Sequence, residues 1–317
     1  MFIRFAATLI LSATAMICGA RAEPVTIASA AQGSSTYNIA LAVARAAGEI
    51  GGLDLRPQPY KSTSQGAAFV DGGEVDFGLE NAFAVREAML GLGRFEGQKM
   101  SNLRLVARLQ PLRMALAVRK DSGIRSFDDL RGKRLPAGFR AAVTGELLIS
   151  AMLANGGLSY DDVEKVPVND FTAMADAFAA GQLDAYIFVI GTPRDEQVSR
   201  TVGGLVPMPF DDGAEALAKL KDVLPVASLG RLQPDPSLVD IDKETVVLEY
   251  DYFVYTHAGE ADDTVRRMVE SLHGGKNLMV QSVASMAWFD PARINADIGL
   301  PYHPAAEAFF REKGLSN

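Results

Sequence analysis

One cysteine, one tryptophan and three histidines occur in 317 residues. The cysteine is Cys18, within an apolar N-terminal stretch, so the chain beyond it has no thiol. Disulfide staples and thiolate metal sites are thereby excluded, and packing must hold the fold. His257, His273 and His303 are scattered and form no His-x-x-x-His pair. A Gly-x-Ser-x-Gly elbow and a Walker loop are missing as well, which removes the commonest hydrolase, metalloprotease and nucleotide-hydrolysing designs. Positive charge is also short, with 31 basic against 39 acidic residues and a net charge of −8. Such a chain repels nucleic acid and anionic lipid.

What is present begins with an export signal. Arg4 precedes an apolar stretch over 5–18, and Ala20-Arg21-Ala22 has the small-x-small pattern of a signal-peptidase site. The pattern predicts a signal peptide over 1–22, a mature chain starting at Glu23 and a periplasmic location. The apolar stretch is shorter than the roughly 20 residues of a membrane span. Ala15-Met16-Ile17 lacks the small residue that a lipoprotein signal places before its cysteine, so no lipid anchor is expected. Loss of Arg4 and Arg21 would leave 29 basic against 39 acidic residues, a net charge of −10.

The mature chain then alternates strand and helix. Val25, Ile27 and Ala28 end a strand-like run, residues 32–36 are small or polar, and Ile39, Ala40, Val43, Ala44 and Ala47 fall at helical spacing. A strand, a hydroxyl-rich turn and a helix start can gather backbone N–H groups and the hydroxyls of Ser34, Ser35 and Thr36 at the positive end of a helix, where an anion fits. Further strands are predicted at 54–60 and 75–80 and helices at 65–72 and 82–92. An extended pair at 103–109 and 114–118, interrupted by Pro111, leads into a second cycle. That cycle has strands at 135–138, 163–168 and 185–190 and helices at 144–155 and 171–180. A β-rich stretch at 246–255 returns the chain, and helices at 262–286 and 305–313 complete it. The expected class is α/β with two lobes, lobe one from 23–113 and 246–317 and lobe two from 114–245, and a ligand cleft between them at the carboxyl ends of the sheets. The pairs Asp128-Asp129, Asp161-Asp162 and Asp211-Asp212 stand where helices or turns begin, which makes them backbone caps rather than acid–base pairs.

Five segments carry a family resemblance: the turn Ser34-Ser35-Thr36-Tyr37, DGGEVDFGL at 71–79, DDLRGKR at 128–134, GQLDAYIFVIGTP at 181–193 and the C-terminal LPYHPAAEAFFREKG at 300–314. Together they resemble the TAXI group of extracytoplasmic receptors, the solute-binding subunits of tripartite ATP-independent periplasmic (TRAP) transporters. The resemblance covers nearly the whole mature chain, and its most specific part is the C-terminal segment. It implies a two-lobed Venus-flytrap receptor that performs no chemistry and needs no cofactor or metal. Such a receptor would capture an anionic or zwitterionic solute, an organic acid or an amino acid such as glutamate, and deliver it to TRAP permease subunits.

The chain departs from the group's pattern at three places. Ala141-Ala142-Val143-Thr144 stands where a Gly-Ser-Gly-Thr turn is usual, Glu80 followed by Asn81 stands where a glutamine commonly ends the third strand, and the opening turn has fewer glycines. The lost serine, with Arg140 immediately before the turn, makes Arg140 the expected carboxylate partner, and Glu80 then favours a ligand that also carries an amine. The candidate ligand-binding residues are Gln32, Ser34, Ser35, Tyr37, Ser64, Glu80, Asn81, Arg140, Thr144, Phe188 and Gly191. For most of them a second role stays open. Gln32 and Ser34–Thr36 can cap their helix, as Ser62, Thr63, Ser64 and Gln65 can cap the next; Tyr37 can pack on lobe one; Gly191 and Pro193 can serve a turn. Arg113 is either a hinge residue or the carboxylate clamp. A receptor for an ATP-driven importer or a sensor kinase, or a periplasmic enzyme, could use the same cleft.

Overall fold

The computed structural model describes residues 24–315, so the expected signal peptide and its cleavage site lie outside the described residues. Lobe one opens with β1 (Val25–Ser29), α1 (Ser35–Gly51), β2 (Leu55–Pro59), α2 (Thr63–Asp71), β3 (Phe77–Asn81) and α3 (Ala82–Leu90). The Ser34 hydroxyl starts α1 by accepting from the Tyr37 N–H, and Gly52 ends it in the left-handed conformation. The buried face of α1 includes Ile39, Ala40, Val43 and Ala47 of the stripe seen in the sequence, with Ala46 buried in place of the expected Ala44, which is half-buried. β1 lies between β2 and β3, parallel to both, as a βαβα chain requires.

β4 (Leu103–Arg119) then crosses to lobe two as one continuous strand. Pro111 does not interrupt it. It sits opposite Asp251, where the register of the pairing strand shifts, so its missing N–H falls where the ladder is already irregular. Lobe two comprises β5 (Arg134–Ala137), α4 (Thr144–Asn155), β6 (Glu164–Pro167), α5 (Phe171–Ala179), β7 (Ala185–Val189), α6 (Pro193–Val202), β8 (Leu205–Pro207), α7 (Ala214–Val223) and β9 (Ser228–Leu232). The last four elements extend beyond the sequence reading, which placed no helix or strand between 191 and 245. β10 (Thr245–His257) returns through the same eight-stranded sheet as β4, the second sheet being the pair β5–β6, and α8 (Asp262–Gly274), α9 (Lys276–Ser282) and α10 (Pro304–Glu312) follow. The single helical run expected over 262–286 is divided at Gly274-Gly275, where helix propensity is weakest, and ends in a 3₁₀ turn at 284–288.

The architecture is therefore α/β with two lobes joined by two long strands. The first half of β4 pairs with the second half of β10, whose other edge takes β3; the second half of β4 pairs with β7, and the first half of β10 with β9. β10 changes partner between Glu249, paired to Ser228, and Tyr252, paired to Asn81. Arg113 belongs to this crossing: its Nε donates to Glu249 Oε1 at 2.5 Å, and its guanidinium lies 4.4 Å from the Trp288 ring centroid. One acid of each pair caps backbone as expected, with Asp129 accepting from the Arg125 and Ser126 N–H groups, Asp162 from Ser159 and Asp211 from Gly213, while Asp128, Asp161 and Asp212 pair with Arg131, Lys165 and Arg231.

Candidate functional site

A cavity of about 90 Å³ lies between the lobes. Six helices present their N-terminal residues to it: α1 through Ser34, Ser35 and Thr36, α2 through Ser62 and Thr63, α3 through Asn81, α4 through Thr144, α5 through Thr172, and α6 through Thr192, Arg194 and Asp195. Each helix start carries a partial positive charge from backbone N–H groups with no partner inside the helix. Ser34, Asn81, Asp170 and Thr192 cap α1, α3, α5 and α6 with their side chains. Ser62 before α2 and Val143 before α4 make no such bond; in these two starts, one from each lobe, the Gln65 and Gly145 N–H groups donate to the Ser62 and Ala142 carbonyls instead.

Arg94 ties those same two helix starts together. Its Nη1 donates to Ser64 Oγ at 3.1 Å and to Thr144 Oγ1 at 3.0 Å, spanning the cleft, while its Nε donates to Glu87 Oε2 at 3.1 Å. Its guanidinium also lies over the Phe83 and Phe95 rings. Behind this bridge Glu80 is 1% exposed. It accepts from Thr63 Oγ1, Ser64 Oγ and both the backbone and side-chain nitrogens of Asn81. Burial pushes the Glu80 carboxyl up from its ordinary range, and Arg94 with these hydrogen bonds pulls it back.

Four of the eleven expected site residues, Ser34, Ser35, Asn81 and Thr144, line the cavity. The other seven do not. Glu80 and Ser64 stand behind the lining and position it, and Tyr37 lies in the first turn of α1 with its N–H on Ser34. Gln32 is exposed outside the lining. Arg140 is also exposed, because the turn is anchored by its neighbour Phe139, fully buried against Phe171, which leaves Arg140 facing out and Ala142 facing in. Phe188 is displaced by parity: Ile187 and Val189 face the cavity, so Phe188 turns to the opposite face of β7 toward Tyr186. Gly191 serves the turn after β7 with φ +76°, a conformation that favours glycine, and an added Cβ would stand 3.5 Å from the Ser285 backbone. Arg113 is engaged with Glu249 and also lies outside the lining.

The lining residues that sequence reasoning missed include Lys61, Thr172, Thr192, Arg194, Asp195 and apolar side chains of lobe two; Tyr250 and Tyr252, which the sequence reads most simply as packing, line it too. Tyr250 and Tyr252 stack at 6.3 Å, and Tyr252 Oη shares a 3.0 Å hydrogen bond with Thr36 Oγ1. Asp195 is 5% exposed and accepts from Thr192 Oγ1 at 2.5 Å. Burial raises its carboxyl to about 7, against the lowering effect of its hydrogen bonds and of Arg194. The overlooked signal was Thr192-Pro193, an N-cap followed by proline at the first helical position directly after a strand.

A family match accompanies this geometry over residues 27–314. The chain belongs to the NMT1-like family. Solved structures share its architecture at low identity. MatC from Rhodopseudomonas palustris with bound malate is 11% identical over 85% of this chain and 90% of its own, with a TM-score of 0.56. PhnD1 from Prochlorococcus marinus in complex with methylphosphonate is 10% identical over 92% of this chain and 98% of its own, with a TM-score of 0.53. The periplasmic aliphatic sulphonate binding protein SsuA from Escherichia coli is 12% identical over 92% of this chain and 88% of its own, with a TM-score of 0.51. The NMT1-like chain thus has the two-lobed fold of periplasmic binding proteins. Among the described residues, no helix is long and apolar enough to cross a membrane.

Proposed function

We propose that the protein is a periplasmic receptor that captures a small carboxylate-containing solute between its lobes and delivers it to a membrane permease. The observation that carries this reading is the convergence of six helix N-termini on one interlobe cavity, two of them without side-chain caps. Oriented backbone dipoles hold an anion without a large reorganisation cost, and Lys61 and Arg194 add full positive charges at the same lining. Ser34, Ser35, Asn81 and Thr144 contact the solute, Glu80 and Ser64 hold the lining in place, and Arg194 takes the role expected of Arg140. Lobe one is 23–113 with 246–317, lobe two is 114–245, and closure turns about β4 and β10. The protein acts by binding, and no reaction is assigned to the cleft.

The resemblance to TAXI receptors names a TRAP permease as the client. MatC, PhnD1 and SsuA are described with malate, methylphosphonate and aliphatic sulphonates, all anions, which accords with an anion in the same kind of cleft. Mass spectrometry of the small molecule that co-purifies with periplasmic protein tests the reading. An acidic solute is expected, and a solute with no acidic group contradicts it. Pull-down of the membrane partner separates a TRAP permease from an ATP-driven importer or a sensor kinase.

A further inference from the structure

The cavity has two unlike walls. Lobe one supplies Ser34, Ser35, Thr36, Ser62, Thr63 and Asn81. The rest of the lining includes an apolar group, Leu112 and Met114 of β4, Leu148 of α4, Met174 of α5, and Ile187 and Val189 of β7, beside the lobe-two helix-start hydroxyls of Thr144, Thr172 and Thr192. We propose that the ligand is a monoanion with one short aliphatic chain, its carboxylate on the lobe-one side and its chain on the apolar wall, and that Asp195 excludes a second carboxylate. This rests on the reading of the cleft as an anion site and narrows it.

Three observations carry it. First, charge-binding groups gather at one end. Lys61 lies on lobe one, and Arg194, the only cation that lobe two adds to the described lining, reaches across to the opening turn, its Nη2 standing 3.8 Å from where a Gly33 Cβ would be. Second, the six apolar side chains offer a second carboxylate no donor, the donors of lobe two being confined to its helix starts at Thr144, Thr172, Thr192 and Arg194, and burying an unpaired charge against the apolar group is heavily penalised. The acid next to that wall, Asp195, repels such a group when ionised. Third, size fits: the cavity of about 90 Å³ is well above the roughly 10–15 Å³ that one water needs, which leaves room for a short chain.

4-Methylpentanoate and succinate make the test direct, because they differ only in an isopropyl group replacing a carboxylate of similar shape. Calorimetric titration of ligand-stripped protein should show 4-methylpentanoate binding at least tenfold more tightly than succinate. Affinity should rise about fourfold per added methylene from butanoate upward until the cavity is full. Met174→Gln should weaken 4-methylpentanoate more than succinate, and Asp195→Asn should narrow the gap by strengthening succinate, with thermal melts confirming that both variants fold. Equal or tighter succinate binding overturns the proposal, as does binding of neither acid, and an unchanged gap in Asp195→Asn removes Asp195 as the excluding group. The broader reading fails separately, only if the co-purified solute has no acidic group.

Discussion

The two walls of the cleft are built by the same device and finished differently. In both lobes a strand ends in a short turn and a helix begins at the cavity, so both contribute backbone N–H groups. Lobe one clothes its helix starts in hydroxyls and an amide, backed by the buried Glu80. Lobe two gives its own the hydroxyls of Thr144, Thr172 and Thr192 and sets beside them Leu148, Met174 and Ile187 and the buried acid Asp195. The contrast separates two tasks: holding a charge, which needs donors, and choosing what the charge is attached to, which needs shape and apolar surface.

Changes that remove charge recognition should have the largest effect. Arg194→Ala leaves the anion facing lobe two without its cation, and affinity for the co-purified solute should fall by about 2–5 kcal/mol in calorimetric titration. A change below threefold would mean that helix N-termini and Lys61 suffice.

Asp195 sharpens the comparison through pH. Its carboxyl is raised by burial to about 7 in the folded protein, so its contribution to stability is fully present below the ordinary carboxylate range near 3.8 and is lost as pH rises through about 7. Asp195→Asn keeps an acceptor for Thr192 and removes the buried charge. Denaturant unfolding of ligand-free protein should show the variant gaining on wild type between pH 5 and pH 8, by about 2–4 kcal/mol at the upper end. A constant difference across that range would place the ionised group in a better-solvated setting.

Arg94 joins the walls instead of belonging to either one. Arg94→Ala removes the hydrogen bonds to Ser64 and Thr144, a loss of about 1.5–3 kcal/mol for charge-assisted bonds, and should shift the lobes toward an open arrangement. Small-angle scattering without ligand should give a larger radius of gyration than wild type; an unchanged radius would show that the walls meet without this bridge. The smallest effect is expected at Arg140. Because it is exposed outside the lining, Arg140→Ala should change affinity by less than about 0.5 kcal/mol. A tenfold loss on titration would restore it as the clamp.

The polar wall was more legible in the sequence than the apolar one, for physical reasons. Small and hydroxyl residues between a strand and a helix announce a helix cap wherever they stand, so Ser34, Ser35, Asn81 and Thr144 were within reach, and the strand–helix rhythm led to the two-lobed class. The wall of lobe two carries no such punctuation. Buried leucine and methionine read as core whether they face another helix or a cavity. Phe188 was lost to a one-residue parity error on β7, and Arg140 because the fully buried Phe139 decides which way the turn faces. α6 went unread because its sequence, PRDEQVSRTV, is too polar to show an apolar stripe. Glu80 shows a further limit, since a chain pattern does not distinguish a carboxylate that meets ligand from one that holds the residues that do.

The central claim is that helix N-termini and cations from both lobes recognise an anion. Titrating ligand-stripped protein with the co-purified acid and with its primary amide, equal in shape but uncharged, tests it most directly. The account predicts that the acid binds at least a hundredfold more tightly; equal affinity of the amide would contradict it.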